Sequence, residues 1–288
     1  MRVGFVGVGA MGGAMARRAL VDGLEVVVFD VNAPATEALA EAGAAVAASP
    51  RELAERCDVA AVVVLSDDQV RSVVTGEEGL LAASTDALDI LIHSTIHLPT
   101  LHEVAEAASA RGFSLIDAGV SGHTTGAERG ELAVMVGGEE AVIERCRPAL
   151  ETYGGLVVRV GGLGAGMKAK VARNLVGFGQ VAATYEGMRL AEEAGVDLTA
   201  FERIVRHSEA QSNLVQGFLA SPSVGPGNEE TEIGRRRLAL AGVVVETCRK
   251  DLSAAIDLGA SLGIALPVAE AAHDEAEATW GAQPGPRR

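Results

Sequence analysis

The sequence predicts an α/β domain with a doubly wound parallel sheet over residues 1–162, followed by an all-α domain over residues 163–288. Up to residue 162, short apolar runs alternate with helical patterns, as in sheets that carry helices on both faces. Near-continuous apolar strands such as residues 59–65 are typical of parallel sheets buried on both sides. From residue 164 to 195, apolar side chains recur in steps of three and four, which predicts one long helix joining the domains.

The alternation gives a definite order of elements. The predicted strands are residues 2–8, 25–30, 44–47, 59–65, 88–93, 113–117, 133–136 and 156–160. The clearest predicted helices of the first domain are residues 10–22, 34–42 and 51–56. Since ligands bind beyond the carboxyl ends of strands in such sheets, the loops at 65–67, 94–95 and 118–125 are predicted to line a site. Asp117 is predicted to end its strand and serve the turn, and a Pro/Gly-rich loop is predicted at 221–228.

Composition and charge exclude several classes of protein. The net charge of −15 and the pI of about 4.8 disfavour a nucleic acid or an anionic membrane as partner. The three cysteines are far apart and lack the spacing of metal ligands, so we expect a reducing compartment and no metal site. No signal-peptide pattern opens the chain, and the apolar run at 174–185 is too short to cross a bilayer. These observations predict a soluble cytoplasmic protein.

The pattern G-x-G-x-x-G lies between the first predicted strand and the first helix. In that context, glycines let the backbone approach a pyrophosphate, which the amides of the helix N-terminus bind. Asp30 ends the second strand, where a carboxylate accepts hydrogen bonds from ribose hydroxyls and repels a 2′-phosphate. Because the next arginine is Arg51, the sequence predicts a Rossmann-type domain that binds NAD rather than NADP. The predicted contacts are Gly7, Gly9, Ala10, Met11, Gly12, Asp30 and Asn32.

Lysine is rare in this chain. Of the 24 lysines and arginines, only Lys168, Lys170 and Lys250 are lysines. A desolvated lysine can lose its proton, whereas a guanidinium effectively never does, so these lysines are candidates for chemistry. Asn174 follows Lys170 by four residues, which places both side chains on one face of the predicted helix.

The middle of the long helix carries no charge between residues 174 and 185. Such a stretch is predicted to be buried on every side. The rest of a small helical domain does not easily cover it, so we expect the chain to pair through this domain.

The residues now support a family resemblance. The opening at residues 4–12, GFVGVGAMG, resembles that of the β-hydroxyacid dehydrogenases, which include 3-hydroxyisobutyrate dehydrogenase. Four further blocks agree in the same order, and together they cover most of the chain. They are Ser94-Thr95, the DAGVSG of residues 117–122, the GAG of residues 164–166 leading to Lys170 and Asn174, and the KDL of residues 250–252.

The resemblance implies hydride transfer between a small hydroxy acid and NAD. It implies that Lys170 is the general acid/base, that Ser121 and Gly122 bind the substrate carboxylate, and that Asn174 orients the substrate. It places Thr95 and the backbone of Leu65 and Ser66 along the nicotinamide ribose. Lys250 would reach the cofactor or close the site from the helical domain. It also implies a homodimer or homotetramer formed through the helical domain.

Two predicted substrate contacts depart from the family pattern. Arg173 stands where the family usually has the first of two asparagines, and His123 stands where it usually has a second glycine. Arg173 would suit a second acidic group on the substrate, or would form an outward salt bridge. His123 would narrow the pocket, donate to the substrate or point to solvent. These departures leave the substrate open.

Three other functions remain as alternatives. An imine reductase on the same scaffold generally lacks the lysine and prefers NADPH, so Lys170 and Asp30 both count against it. A semialdehyde or glyoxylate reductase would run the same chemistry in the opposite direction. A non-catalytic NAD-binding protein would bind the cofactor without turnover, and the joint presence of Lys170, Asn174 and Ser121 argues against it.

Overall fold

The computed structural model describes residues 1–212 and 232–280. The chain divides into two compact units, Met1–Leu175 and Val176–Arg288. The first unit therefore also contains the opening turns of the long helix, and the predicted domain limit at residue 162 stays a prediction. The predicted loop at 221–228 lies outside the described residues.

The first unit is built on one sheet. Its strands are β1 (Arg2–Val6), β2 (Glu25–Phe29), β3 (Ala45–Val46), β4 (Val59–Val62), β5 (Asp89–Ile92), β6 (Ser114–Ser121), β7 (Ala133–Gly137) and β8 (Leu156–Gly161). Their order in the sheet is β3-β2-β1-β4-β5-β6-β7-β8. All neighbouring strands pair parallel except β6 and β7, which are antiparallel. The predicted doubly wound sheet is confirmed, with one antiparallel pair near its edge.

Helices cover both faces of this sheet. They are α1 (Ala10–Val21), α2 (Ala33–Ala40), α3 (Pro50–Arg56), α4 (Asp67–Thr75), α5 (Leu98–Ala110), α6 (His123–Arg129) and α7 (Glu140–Tyr153). One core cluster contains Phe5, Met15 and Ile143, and a second contains Leu53 and Leu101. Because both faces are buried, the central strands read as continuous apolar runs, which is why the sequence revealed them.

The long helix is α8 (Ala165–Glu193), as predicted. At 1.5 Å per residue, its 29 residues span about 44 Å. The helices that follow are α9 (Leu198–Ser212), α10 (Glu232–Ser261), α11 (Pro267–Asp274) and α12 (Ala276–Trp280). Within the second unit, the buried carboxylate of Glu186 accepts the backbone N–H groups of Val268 at 2.8 Å and Ala269 at 3.1 Å, at the start of α11. None of the described helices is long and apolar enough to cross a membrane.

The middle of α8 is not buried in the single chain. Leu175 is 76% exposed, Phe178 is 70% exposed and Tyr185 is 61% exposed. The prediction that this stretch is buried on every side is therefore wrong for the chain alone. A lack of charge predicts that a surface is covered, but not by which chain, so pairing through this domain stays a prediction.

The region after Asp117 also differs from the prediction. Strand β6 continues to Ser121 and α6 begins at His123, whereas a loop was predicted at 118–125. Residues 118–120 pair with β7 and are buried, so Asp117 lies within the strand and does not serve a turn. Gly119 lowers the apparent strand propensity, and the pairing with β7 that overrides it is not local in sequence.

Candidate active site

The glycine loop follows β1 and leads directly into α1. Gly7 has a φ of +87°, and a Cβ there would lie 2.5 Å from the carbonyl oxygen of Val63. A Cβ at Gly12 would overlap the carbonyl oxygen of Gly7, so both positions exclude a side chain. Gly9, the N-cap of α1, has open space around it, with no atom within 4 Å of a Cβ. The first and third glycines permit the tight turn, and the second leaves room for a phosphate-bearing ligand.

Asp30 is fixed beside this loop at the carboxyl end of β2. Its Oδ2 accepts the backbone N–H of Val8 at 2.7 Å, and its Oδ1 accepts that of Asn32 at 2.8 Å. Each oxygen keeps capacity for a further hydrogen bond, for example from a ribose hydroxyl. Val31, which follows Asp30, is 94% exposed, and the sequence analysis did not single out this apolar residue. The sequence feature that could have drawn attention to Val31 is its position directly after Asp30.

The predicted nicotinamide-side residues lie at the same edge of the sheet. Leu65 and Ser66 follow β4, and Thr95 follows β5, the next parallel strand. All three are exposed. The hydroxyl of Ser66 accepts the N–H of Gln69 at 3.3 Å and caps α4, while its backbone carbonyl accepts the N–H of Val70 at 3.0 Å. The hydroxyl keeps its own O–H donor for a further contact. The glycine loop, Asp30 and these loops therefore form one edge that fits a dinucleotide.

Asp117 anchors the start of α8. It is fully buried, with Oδ1 accepting the N–H of Gly164 at 2.7 Å and Oδ2 accepting that of Met167 at 2.6 Å. Burial raises the pKa of this carboxyl, while the two backbone hydrogen bonds act in the opposite direction. A Cβ at Gly166 would overlap the carbonyl oxygen of Met135, so the helix can approach the sheet only with glycine there. The sequence analysis missed that Asp117 anchors the start of α8. An acid within an otherwise apolar strand was the feature that could have indicated this anchoring role.

Lys170 lies one turn beyond this anchor. Its half-buried Nζ donates to the carbonyl oxygen of Val120 at 2.5 Å. A Cβ at Gly119 would lie 2.9 Å from the Cβ of Lys170, so glycine makes room for the lysine stem. Burial lowers the pKa of Lys170, and the positive charge of Arg173 lowers it further. The geometry holds an amine with weakened proton affinity at the end of β6.

Ser121, Gly122 and His123 continue directly from Val120. Ser121 is half-buried, and Gly122 has a φ of +137°. His123 is exposed with a φ of +60°, the only described residue besides glycines with a positive φ. Because L residues disfavour this conformation, His123 occupies a backbone position suited to glycine. Ser121 thus directly follows the residue whose carbonyl holds the amine of Lys170, and Gly122 and His123 come next along the chain.

Arg173 and Asn174 extend the same helix face. Asn174 is half-buried and Arg173 is exposed. Among the side chains that the structure describes, no acid forms an ion pair with Arg173, so the predicted outward salt bridge is not found there. Lys250 belongs to the second unit, is exposed, and lies 3.2 Å from an oxygen of Asp251. Its contact with the cofactor stays a prediction.

Comparison with known proteins decides the family. Residues 2–162 match the model described as the NAD-binding domain of 6-phosphogluconate dehydrogenase. Residues 164–285 match the model described as NAD-binding of NADP-dependent 3-hydroxyisobutyrate dehydrogenase. The chain belongs to the β-hydroxyacid dehydrogenase family. The chain is 34% identical to the 3-hydroxyisobutyrate dehydrogenase of Pseudomonas aeruginosa, over 78% of this chain and 75% of the relative. It is 29% identical to 2-(hydroxymethyl)glutarate dehydrogenase of Eubacterium barkeri, over 93% of this chain and 85% of the relative.

Solved structures agree with this placement. A candidate oxidoreductase from Mycobacterium avium 104 superposes with a TM-score of 0.84 at 37% identity, covering 98% of this chain and 99% of that one. The 3-hydroxyisobutyrate dehydrogenase of Mycobacterium tuberculosis with L-serine gives a TM-score of 0.67 at 29% identity, covering 98% and 96%. An imine reductase from Myxococcus stipitatus with NAD+ gives 0.82 at 20% identity over 98% and 96%, which shows a shared fold only. The protein is thus an oxidoreductase with an NAD(P)-binding domain.

Proposed function

We propose that this dehydrogenase interconverts a small 3-hydroxy acid and its semialdehyde with NAD, and that Lys170 is the general acid/base. One observation carries the proposal: the amine of Lys170 is held at the end of β6, immediately before Ser121. A general base must lie within hydrogen-bonding reach of the proton it takes, and its pKa should approach the working pH. Burial and Arg173 both move the pKa of Lys170 in that direction.

The proposed oxidation removes one proton and one hydride from the alcohol. In oxidation, the neutral amine of Lys170 takes the O–H proton of the alcohol while the C–H bond breaks and the carbonyl forms. When bound, NAD supplies the acceptor for the hydride that leaves the carbon. In reduction, the protonated amine returns the proton to the carbonyl oxygen. The protein contributes position, electrostatics and the exclusion of water.

The substrate class rests on the neighbours of Lys170 and on the relatives. The hydroxyl of Ser121 and the backbone N–H of Gly122 are donors for a carboxylate, and Asn174 is one helical turn from the amine. Among the compounds that the relatives and neighbours are named for or bound to are 3-hydroxyisobutyrate, L-serine and 2-(hydroxymethyl)glutarate. Each carries a hydroxymethyl group on the carbon next to a carboxylate. A small hydroxymethyl carboxylate is therefore the proposed substrate.

NAD is the proposed cofactor because of Asp30. Its carboxylate stands at the carboxyl end of β2, where it would accept ribose hydroxyls and repel a 2′-phosphate. No lysine or arginine occurs between Val31 and Pro50 to neutralise such a phosphate.

The test compares wild type, Lys170→Ala and Lys168→Ala for the reduction of NAD or NADP by a panel of these hydroxy acids. Lys168 is the matched control because it lies on the same helix and is exposed. Loss of general acid/base catalysis predicts a fall of about 10²- to 10⁴-fold for Lys170→Ala, with NADH binding retained. The Lys168 variant should keep its rate. Equal rates for both variants would show that Lys170 is structural, and wild-type turnover of cyclic imines alone would favour the imine reductase.

A further inference from the structure

We propose that Arg173 makes this dehydrogenase selective for hydroxy acids that carry a second carboxylate. This inference rests on the proposed function, since it concerns the same site. It assigns the guanidinium of Arg173 to the second carboxylate, while Ser121 and Gly122 bind the first and Lys170 faces the hydroxyl.

The register of α8 against β6 places Arg173 at the end of the strand. Gly166 lies against Asp117, and Lys170 lies against Gly119. Four residues of helix advance about 6 Å and two residues of strand advance about 6.6 Å, so the elements run side by side in one direction. Three further helical residues advance about 4.5 Å and one strand residue advances about 3.3 Å, which brings Arg173 level with the step from Val120 to Ser121.

The side chain of Arg173 shares the face of the amine. Residues three and four apart are neighbours on a helix, so Arg173 and Asn174 both adjoin Lys170. The effect of the Arg173 charge on the pKa of Lys170 agrees with this proximity. A substrate held by its hydroxyl at Lys170 would therefore extend its remaining groups within reach of the guanidinium.

The charge of Arg173 is available to a ligand. The chain has a net charge of −15, and many of its arginines pair with acids, as Arg18 does with Asp22 and Arg145 with Asp89. Arg173 has no such partner among the acids whose side chains the structure describes. Other described arginines, among them Arg17 on α1, also form no ion pair with a described acid, so the absence of a partner is informative only together with the position beside Lys170.

The chemistry selects a carboxylate over other substituents. A guanidinium binds a carboxylate through two parallel N–H···O bonds, which a methyl or hydrogen at the same position cannot replace. A dicarboxylate also neutralises the cation beside Lys170. Its binding should therefore raise the proton affinity of Lys170 relative to that in the complex with a monocarboxylate.

The test uses 2-(hydroxymethyl)glutarate and 3-hydroxyisobutyrate with wild type, Arg173→Asn and the control Arg17→Asn. Asparagine is chosen because the family usually has it at this position. We expect the kcat/KM of wild type to be at least about tenfold higher for the dicarboxylate than for the monocarboxylate. A single hydrogen bond to a charged group is enough to account for a ratio of this size. Arg173→Asn should lower the ratio of the two kcat/KM values by at least about tenfold, mainly through KM. It should also move the rise of the oxidation rate to higher pH, because the pKa of Lys170 is no longer lowered by the cation. Arg17→Asn should leave the ratio unchanged.

An unchanged ratio in Arg173→Asn, or a wild-type preference for the monocarboxylate, would overturn the inference while the proposed function stands. Turnover of neither acid would instead contradict the proposed function. In that case, the second carboxylate site is tested by measuring the binding of glutarate and of butyrate to the NADH complex by calorimetry. Tighter binding of glutarate by wild type, lost in Arg173→Asn, would support the second carboxylate site, and equal binding would refute it.

Discussion

Replacing Asp117 with asparagine tests whether the anchor of α8 positions Lys170. In the wild type, the two carboxylate oxygens accept the amides of Gly164 at 2.7 Å and Met167 at 2.6 Å. Asparagine keeps one acceptor and turns an NH₂ donor toward the other amide, which then lacks a partner. Hydrogen bonds to charged groups contribute about 1.5–3 kcal/mol, and an unsatisfied buried group costs about 1–3 kcal/mol. We therefore expect the start of α8 to be destabilised by about 2–4 kcal/mol.

The direct assay is hydrogen exchange of peptides that cover residues 164–171, read against a peptide that contains β4. The expected destabilisation corresponds to exchange about 30- to 900-fold faster at the helix start, with little change in β4. The kcat should fall at least about tenfold, because a displacement of about 1 Å in a catalytic group is costly. Asp58→Asn is the control, since Asp58 is exposed and accepts the N–H of Arg2 at 2.8 Å. Faster exchange with an unchanged kcat would refute the claim that this anchor positions Lys170.

Two further predictions concern packing and pH. In Gly119→Ala, the new Cβ would lie 2.9 Å from the Cβ of Lys170, so kcat should fall at least about tenfold. The control is Gly179→Ala, because no atom lies within 4 Å of a Cβ at that position. Equal kcat values for the two variants in steady-state assays would contradict the packing argument. Burial lowers the pKa of His93 from 6.5 to about 4, so the unfolded chain binds the extra proton between these values. The stability that His93 contributes is thus fully present above about pH 6.5 and declines toward pH 4, by up to about 3 kcal/mol. Urea unfolding from pH 4 to 8 should show a shallower pH dependence in His93→Gln, and identical slopes would contradict this account.

Much of the fold was predictable because its signals are local. The glycine loop, Asp30 and the apolar strands each carry their pattern within a few consecutive residues. Parallel strands buried on both faces leave little ambiguity about where they lie. The position of Lys170 on a long helix was equally readable from the spacing of apolar residues.

The remaining features depend on contacts that are distant in sequence. The extension of β6 past Asp117 requires pairing with β7, and the anchor of α8 joins Asp117 to amides about fifty residues later. The positive φ of His123 is a backbone property that its side chain does not reveal. Exposure of Phe178 on an uncharged helix depends on which surfaces the chain itself covers.

Chemical rescue of Lys170→Ala by a small amine would show whether the amine of Lys170 carries the proton of the reaction. The measurement is the rate of NADH formation by Lys170→Ala, on the hydroxy acid that wild type turns over best, with and without added ethylamine. We expect Lys170→Ala to be slow, ethylamine to restore part of the rate, and the restored rate to rise with the fraction of neutral amine. An undiminished rate without amine, or a slow variant that binds NADH but responds to no primary amine, would contradict this role of Lys170.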